Sequence, residues 1–440
     1  MKKIDLTTGK EISVITLLAL PLIGSSFLQF LYSFIDMLFV GGLGAGAIAA
    51  VGSAGFFINM GYAIQAMVVV GGSIKLAHAM GQKNEQEISS YIGSSLLLNT
   101  IMGIVTIIVF SFFGNSILSF LDLNDTAVQQ AAYQYLVVSS IMLFFSYFNT
   151  FFIRMFSSFG NNKQSFYISA LGIVINIILD PIFIYGLEWG VTGAAIATLI
   201  AQIVMFVLFI CRAKDVLLNK IVRAVSKDKL REIIRLGLPM ATQRVLFTAI
   251  NIILAKIIAS FGTDAIAAQK IGFQIESITF IVLAGLNGAV SSFIGQNFGA
   301  GKFKRVSKGF GASMRVGIAY ALLTSFLLIV FAGQLAQLFT RDPETIAIAS
   351  SYLKIIGLSQ IFMAMEMIGN GVFSGIGLPK IPSIISIVFT SLRIPLALLL
   401  IPVIGLNGVW WSIAISSCIK GILSVVLFQR IYRRRYQHEF

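Results

Sequence analysis

The sequence predicts an all-α membrane protein with twelve transmembrane helices. Hydrophobic residues make up 57% of its 440 residues and charged residues only 11%, which is more apolar surface than one water-soluble core can hide. A bilayer core of about 30 Å needs roughly 20 apolar residues per helix, and the chain contains twelve such runs. The predicted spans are 12–40, 47–78, 90–119, 130–157, 164–187, 191–212, 236–260, 265–296, 307–333, 346–374, 380–402 and 407–429.

The segments between these spans alternate between basic and nearly uncharged. Short basic loops stay on the cytoplasmic side, so we expect a multi-pass protein of the plasma (inner) membrane with both termini in the cytoplasm. The opposite side has one basic residue, Arg341. On the predicted cytoplasmic side lie Lys2, Lys3, Lys10, Lys83, Lys163, the segment 212–235, Lys302, Lys304, Arg305, Lys308, Lys380, Arg430, Arg433, Arg434 and Arg435.

A repeat of 218 residues divides the chain into halves. This shift brings Pro21 onto Pro239 and the "AIAA" of 47–50 onto the "AIAA" of 265–268, which indicates duplication. We therefore expect two pseudo-symmetric six-helix lobes around a central cavity, with the symmetry axis along the membrane normal. The N-terminal lobe is 1–212, the C-terminal lobe with its basic tail is 236–440, and 213–235 is a cytoplasmic linker.

Two features of these segments allow more than one interpretation. Pro21 and Pro239 each remove a helical hydrogen bond and permit a bend in spans 1 and 7, although proline is also common in transmembrane helices that have no gating role. The linker, which is rich in Lys and Arg, is predicted to be a solvated connection. It could instead bind a regulator or anionic lipid headgroups.

The acids within the spans of the N-terminal lobe must be stabilised by a partner or be retained for a function. An ionised carboxylate in the bilayer costs roughly 3 kcal/mol on insertion scales. Asn176 and Asp180 are four residues apart and share a helix face, and Thr198 and Gln202 repeat that spacing. Counting from the span ends places Asp36, Asn176, Asp180 and Thr198 roughly 7–15 Å below one surface.

Three interpretations of this cluster remain open. Oxygen ligands from Asp36, Asn176, Asp180 and Thr198 suit a hard cation such as Na+. The carboxylates could instead share a proton, because burial beside a second carboxylate raises a carboxyl pKa by several units. The acids could also serve helix packing alone.

The second lobe differs at the matching positions. The repeat puts Leu254 opposite Asp36 and, after a small gap, Ile394 opposite Asp180, which predicts an asymmetric function. Glu276, near the middle of span 8, is the predicted contact for a cationic substrate in the cavity. The other charged residues within the spans of this lobe are interpreted as structural or cavity-lining: Arg244, Lys256, Lys270, Glu366 and Arg393.

Several function classes are disfavoured by composition. The formal charge of +14 could suggest nucleic-acid binding, but the basic residues are clustered between hydrophobic spans, so no nucleic-acid partner is expected. Two cysteines, Cys211 and Cys418, and two histidines, His78 and His438, are too few for a disulfide framework or a His and Cys metal cluster. HExxH and GxSxG motifs do not occur. We therefore expect neither an enzyme nor a cofactor.

The chain resembles the multidrug and toxic compound extrusion (MATE) family over nearly its whole length. The stretches that carry this resemblance are "LPLIGSSFLQFLYSFIDMLFVGGLG", "NIILDPIFIYGLEWGVTGAAIAT" and "GNGVFSGIGLPKIPS". The resemblance implies cation-coupled drug efflux through Asp36, Asn176, Asp180 and Thr198. It also implies a role for Pro21 as the residue at which span 1 bends. Gln29 and Tyr135 resemble supporting polar residues of this site, and Gln202 is placed with them.

The chain departs from the family pattern at several positions. Phe247 stands where some members have a span 7 glutamate, and Met363 where they have a span 10 aspartate. Phe373 and Ser374 lie in a region where an arginine is frequent. Coupling through the C-terminal lobe is therefore not expected.

The predicted function is an antiporter coupled to H+ or Na+ that exports small organic cations by alternating access. A lipid-linked oligosaccharide or lipid precursor flippase is the alternative. It ranks lower because such proteins need several cationic residues in the cavity, whereas acids dominate the cluster found here. The expected partners are drugs and dyes together with membrane lipids, and the expected oligomeric state is a monomer.

Overall fold

The computed structural model describes residues 5–119, 126–218 and 225–436. Within this part of the chain, twelve helices are long and apolar enough to cross a membrane, which confirms the predicted number of spans. The protein is thus a multi-pass membrane protein. Several predicted loop residues lie outside the described residues: Lys2, Lys3, the loop 120–125, Lys220, Arg223 and His438.

The described helices follow the predicted spans closely. The first half of the chain has α1 (Glu11–Gly41), α2 (Ala45–Gly81), α3 (Glu85–Ser119), α4 (Thr126–Ser158), α5 (Asn162–Pro181), the π-helical turn π1 (Ile182–Gly186) and α6 (Gly190–Leu218). The second half has α7 (Lys227–Ala259), α8 (Thr263–Gly299), α9 (Phe303–Val330), α10 (Ala332–Gln337), α11 (Pro343–Gly375), α12 (Lys380–Ser391), α13 (Arg393–Ile404) and α14 (Asn407–Tyr436).

The starts of α2 and α8 use the same turn, 218 residues apart. Gly44 precedes α2 with φ 101°, and Gly262 precedes α8 with φ 105°. Only glycine adopts such a φ without strain. The duplication read from the sequence is therefore repeated in backbone geometry.

Three spans are less regular than hydropathy predicts. Span 5 changes from α-helix to π1 directly after Pro181, and span 11 is divided at Leu392 into α12 and α13. The predicted span 307–333 runs past the end of α9 at Val330, where the short α10 follows. Hydropathy averages over a window, so it does not detect such local breaks.

The described residues form two compact units whose boundaries fall inside helices. Unit 1 contains residues 24–241, and unit 2 contains residues 6–23 with the described chain from Thr242 onward. The predicted lobes divide the chain at the linker instead. The units differ from them because the first half of α1 belongs to unit 2 and the first half of α7 to unit 1.

Each unit has its own apolar core. Phe151, Phe152, Phe156 and Phe209 are fully buried between α4 and α6 of unit 1. In unit 2, Trp410 and Tyr352 meet edge to face with ring centroids 4.9 Å apart, a geometry that favours aromatic pairs. These cores hold the helices that present the polar side chains described below.

Candidate ion-binding site

Three polar side chains of α5 and α6 form a hydrogen-bonded cluster in unit 1. The Asn176 amide Nδ2 donates to Asp180 Oδ1 at 3.2 Å and to Thr198 Oγ1 at 3.3 Å. Asn176 and Asp180 lie one turn apart on α5, as their spacing predicts. Asp180 is completely buried, and Asn176 is only 2% exposed. The amide therefore links the carboxylate of one helix to the hydroxyl of the next.

Helix α1 adds two residues to this cluster. The hydroxyls of Tyr32 and Thr198 are 3.1 Å apart and hydrogen bonded. One turn further along α1, the partly buried carboxyl group of Asp36 lies within electrostatic range of Asp180. The structure thus brings together all four predicted coupling residues and adds Tyr32, which the sequence analysis missed. Its spacing of four from Asp36 is the signal that could have found it.

Three oxygen atoms of the cluster are buried and lack a hydrogen-bond partner among the described residues. They are Asp36 Oδ1, Asn176 Oδ1 and Asp180 Oδ2. Buried polar atoms are usually paired, because an unpaired one costs about 1–3 kcal/mol. Two carboxylate oxygens and one amide oxygen are the donor types that a hard cation prefers. This donor set fits Na+, and either carboxylate could instead take a proton.

An apolar layer lies one turn from the polar cluster on each of the three helices. Val40 follows Asp36 by four residues, Ile184 follows Asp180 by four, and Ala194 precedes Thr198 by four. Val40, Ile184 and Ala194 pack together and are at most 3% exposed. The cluster is therefore closed by hydrocarbon on the side of the α1–α2 connection.

The local geometry of α5 explains how Asp180 is presented. Pro181 has no N–H group, so the helical hydrogen bond to the Ile177 carbonyl is missing in the turn that carries Asp180. The chain changes to π1, in which the Leu187 amide donates to the Ile182 carbonyl at 2.8 Å. A π-helical turn inside a membrane helix often marks a functional site. In "NIILDPIF", Asp180 therefore lies in the last turn of α5, directly before the break in the helix that follows Pro181.

The other predicted residues of unit 1 occupy different surroundings. Tyr135 packs against the apolar layer and lies within electrostatic range of Asp36 and Asp180. Gln202 lies one turn from Thr198 and accepts a hydrogen bond at 2.7 Å from the Asn149 amide of α4. Gln29 lies two turns before Asp36 and has an exposed side chain.

Pro21 lies inside α1, three residues before the start of unit 1 at Gly24. The first half of α1, which contains this proline, belongs to unit 2. Pro21 is therefore placed near the point at which α1 passes from one unit to the other, rather than within the polar cluster.

Glu276 of unit 2 is buried and hydrogen bonded. The Tyr352 hydroxyl donates to Glu276 Oε2 at 2.7 Å. The carboxyl group also interacts electrostatically with Arg393. Glu276 is only 8% exposed, so it has partners within its own unit, unlike the carboxyl oxygens that lack them in unit 1.

The other buried charges of unit 2 form compensated pairs. Lys420 Nζ lies 2.9 Å from Glu366 Oε2, and both side chains are almost completely buried. Arg393 donates from Nε to Ser416 Oγ at 3.2 Å and lies over the Phe247 ring, 6.0 Å from its centroid. The two acids of this region are thus balanced by two bases.

The positions of unit 2 that match the polar cluster are apolar. Leu254, the repeat equivalent of Asp36, is 1% exposed, and Ile250, which matches Tyr32, is 5% exposed. Both belong to the hydrophobic core of unit 2, and Ile394 packs against that core. The asymmetry expected from the sequence is therefore present in the packing of the two units.

Metal binding of the His, Cys and carboxylate type has no candidate in the described residues. No group of three or more His, Cys, Asp or Glu side chains is placed there to hold a metal ion. The polar cluster has only two carboxylates and completes its oxygen set with an amide and hydroxyls. Such a set suits a monovalent ion better than a transition metal.

Comparison with known proteins gives consistent matches over the whole chain. The chain is 26% identical over 424 residues to the probable multidrug resistance protein NorM of Thermotoga maritima, covering 93% of this chain and 90% of the relative. It is 24% identical to the multidrug export protein MepA of Staphylococcus haemolyticus, with 94% and 93% covered. A crystal structure of MATE in complex with MaD3S matches with a TM-score of 0.91 and 25% identity, covering 98% of both chains.

The family assignment rests on a match in both halves of the repeat. The MatE family model matches residues 21–182 and again residues 239–399. Together these segments cover more than half of the chain, and each begins at one of the two equivalent prolines. The chain therefore belongs to the MatE family, that of the multidrug and toxic compound extrusion transporters, and is a membrane transporter rather than an enzyme.

Proposed function

We propose that this protein is a multidrug antiporter that takes up H+ or Na+ and exports small organic cations by alternating access. The observation that carries this proposal is the presence in unit 1 of two neighbouring carboxyl groups, each with a buried oxygen that has no hydrogen-bond partner among the described residues. The names of the relatives, a multidrug resistance protein and a multidrug export protein, support drug-like substrates.

The polar cluster would couple ion binding to transport by neutralising charge. Without a bound cation, Asp36 and Asp180 repel each other in surroundings of low polarity, which is unfavourable. A proton or Na+ removes that repulsion and draws α1 towards α5. The conformation that holds the helices close is then favoured only when the ion is bound, as differential affinity for two states requires.

The membrane potential supplies energy to such an exchange for each net charge that enters. Moving one charge across 100 mV is worth roughly 2.3 kcal/mol. Since about 1.4 kcal/mol corresponds to tenfold in concentration, this sustains a gradient of about fortyfold per charge. A one-for-one exchange with a monovalent organic cation moves no net charge, so the membrane potential contributes only when more coupling ions enter than substrate charges leave, and the concentration gradient of the ion supplies the rest.

The charged residues of unit 2 argue against a second coupling site and against the flippase alternative. Lys420 already occupies the position of a counter-ion beside Glu366. Arg393 interacts electrostatically with Glu276 and Glu366. Neither base is thus free to bind a pyrophosphate group, and the named relatives do not favour a flippase.

The orientation follows from the basic loops, with both termini in the cytoplasm of a plasma membrane. We expect a monomer, because a single unit 1 carries the complete polar cluster. A reporter fused to the C-terminus tests the orientation, since it should be protected in spheroplasts and accessible in inverted vesicles. Chromatography with light scattering of the detergent-solubilised protein tests the monomer.

Transport in reconstituted vesicles tests the function. Purified protein is placed in liposomes, sodium and proton gradients are imposed separately, and ethidium movement is followed by fluorescence. Ethidium should move against its gradient under at least one of the two ion gradients. The gradient that supports this movement identifies the coupling ion, and no movement under either would refute the antiport proposal.

The role of the cluster is tested with one variant and a matched control. Asp36→Asn removes the charge but keeps the shape of the side chain, so coupled export should fall to background. Asp342→Asn makes the same change at an exposed position before α11, and export should be unchanged. Full export by Asp36→Asn would reject the cluster as the coupling site.

A further inference from the structure

Three basic side chains lie on one face of α9 in unit 2 and are named here the α9 basic stripe. They are Lys304, Lys308 and Arg315, and all three are exposed. Their spacings of four and seven residues place them within about 40° of one another around a helix of 3.6 residues per turn. The helix itself contains no Asp or Glu, so no acid of α9 can balance the charge of the stripe.

The same face of α9 continues as apolar surface. Leu322 and Phe326 follow Arg315 by seven and eleven residues, which places them on the face of the stripe. Leu322 is 53% exposed and Phe326 is 56% exposed. Large exposed apolar side chains on a membrane-spanning helix indicate contact with lipid. The stripe therefore lies on a lipid-facing surface, in the half of α9 where the helix begins.

Arg315 lies further along α9 than the two lysines. It follows Phe303, the first residue of the helix, by twelve residues, which corresponds to about 18 Å of helix length. An arginine that faces lipid at this depth is costly unless its guanidinium group reaches the headgroup region. The Arg315 Nε donates to the Gly311 carbonyl at 3.3 Å. The side chain is therefore directed back along α9, towards Lys308.

Open space lies in the middle of the stripe, at Gly311. This glycine stands between Lys308 and Arg315 on the same face, and a Cβ atom added to it would meet no atom within 4 Å. The two bases therefore flank an uncovered patch of helix. A small anionic group placed there would have one base on each side.

The stripe forms no ion pair within the described part of the chain. Glu11 lies near the start of α9, but it is already paired with Arg305 at 3.2 Å. Arg305 lies about 100° around the helix from Lys304 and so belongs to another face. At the matching place in unit 1, Glu87 of α3 is likewise paired with Lys229 at 2.7 Å. The acids at these helix starts therefore do not balance the stripe.

The repeat provides a matched helix without the stripe. Each base has an uncharged equivalent on α3 under the 218-residue shift: Gln86 for Lys304, Ser90 for Lys308 and Leu97 for Arg315. Leu97 is 37% exposed and is the kind of residue that a lipid-facing position ordinarily has. Since the duplicated scaffold does not need bases at these positions, folding alone does not account for them.

We propose that the α9 basic stripe binds the headgroup of an anionic phospholipid, with its phosphate over Gly311 and its acyl chains along Leu322 and Phe326. A guanidinium group binds phosphate through two parallel hydrogen bonds, whereas each lysine acts as a point charge. Bases at a membrane surface attract anionic lipids about fivefold each. A lipid fits better than a soluble anion because apolar surface adjoins the bases. With the orientation proposed above, this lipid belongs to the cytoplasmic leaflet.

Fluorescence quenching tests where the lipid binds. Ala319→Cys, one turn beyond the stripe on the same face, is labelled with bimane in a background that carries Cys211→Ser and Cys418→Ser. Ile101→Cys is the matched control, because it is the exposed repeat equivalent on α3. Each protein is reconstituted in phosphatidylcholine with a small fraction of either phosphatidylglycerol or phosphatidylcholine that carries a doxyl spin label on the acyl chain.

The labelled phosphatidylglycerol should quench the α9 position at least twofold more than the labelled phosphatidylcholine at the same fraction. The two lipids should quench the α3 position equally. Equal quenching by the two lipids at the α9 position would overturn the proposal, and so would the same preference at both positions. No drug or ion gradient is present, so the result does not depend on the antiport proposal.

Transfer of residues from α3 to α9 tests the stripe itself. Arg315→Leu should lower the preference for phosphatidylglycerol about fivefold, and addition of Lys304→Gln and Lys308→Ser should abolish it. Arg430→Leu removes an exposed base of α14 in the same unit and should leave the preference unchanged. Thermal unfolding in detergent should be the same for all variants, because the replaced side chains are exposed. A full preference in the triple variant would overturn the proposal.

Inorganic phosphate distinguishes a lipid from a free anion as the occupant. An excess of phosphate should leave the quenching by phosphatidylglycerol the same as chloride of equal ionic strength does, because screening by the two salts is equal. Phosphate has no acyl chains to lie along the apolar part of the face. A loss of quenching with phosphate but not with chloride would make a free anion the occupant and overturn the proposal.

Discussion

Buried acids have different surroundings in unit 1 and in unit 2. In unit 1, Asp36 and Asp180 lie near each other, and each has a buried oxygen without a partner among the described residues. In unit 2, Glu366 is paired with Lys420, and Glu276 accepts a hydrogen bond from Tyr352. The same scaffold therefore leaves the acids of unit 1 with unpaired oxygens, whereas those of unit 2 are paired with other side chains of the protein.

The largest effect on export is expected when one of the two carboxyl groups of unit 1 is replaced. Asp180→Asn keeps a side chain that Asn176 can still contact but removes the second charge, so ion-coupled export should fall to background. Glu276→Gln is the matched change in unit 2 and should keep at least half of the export. The measurement is ethidium movement in vesicles. A stronger loss in Glu276→Gln would make Glu276 the more important acid and reverse the comparison.

The second largest effect is expected on stability, when the buried ion pair of unit 2 is broken. Lys420→Met leaves the Glu366 carboxylate buried without its partner, which should cost about 3–5 kcal/mol in free energy of unfolding. Thermal unfolding in detergent measures this loss. The double variant Glu366→Met with Lys420→Met should recover most of it, because no charge then remains. An equally unstable double variant would show that packing, not charge, dominates at this pair.

A smaller effect is expected from the hydroxyl that α1 contributes to the cluster. Tyr32→Phe removes the hydrogen bond to Thr198 and should weaken ion binding by about 1 kcal/mol, or roughly fivefold. The ion concentration that gives half-maximal export measures the change. Tyr62→Phe removes a similar bond to Ser146 in the same unit and should leave that concentration unchanged. Equal shifts in both variants would contradict a specific role for Tyr32.

The smallest effect concerns a helix cap outside the membrane. The Asp342 carboxylate accepts a hydrogen bond from the Thr345 amide at 2.7 Å, which holds the pKa of Asp342 below its ordinary value. The cap is therefore complete above the ordinary carboxyl pKa of about 3.9 and is lost as pH falls through the lower folded value. Asp342→Ala should lower the melting temperature slightly at pH 6, and the difference should shrink in acid. A difference that does not depend on pH would argue against the carboxylate as the cap.

The number of helices and part of the polar cluster could be predicted from the sequence because both depend on local spacing. Long apolar runs indicate spans, and a spacing of four places Asn176 and Asp180 on one face of a helix. Tyr32 obeys the same rule relative to Asp36, so the information was present although it was not used. The change to π1 after Pro181 depends on how the following turn packs, which the pattern does not specify.

The exchange of half-helices between the units could not be predicted from hydropathy. Apolar runs indicate where helices lie along the chain but not which helices are neighbours. Lys229 and Glu87 are 142 residues apart, and nothing local connects them. Likewise, the pairing of Lys420 with Glu366 depends on how α11 and α14 pack.

The layer of Val40, Ile184 and Ala194 closes the polar cluster with hydrocarbon on the side of the α1–α2 connection. A hydrated cation arriving through that layer would lose its water before reaching any oxygen ligand, at a cost that hydrocarbon does not offset. We therefore expect a coupling ion to enter on the side of the cluster away from this layer, after crossing part of the electric field of the membrane. Its affinity for the site should consequently vary with voltage as well as with concentration.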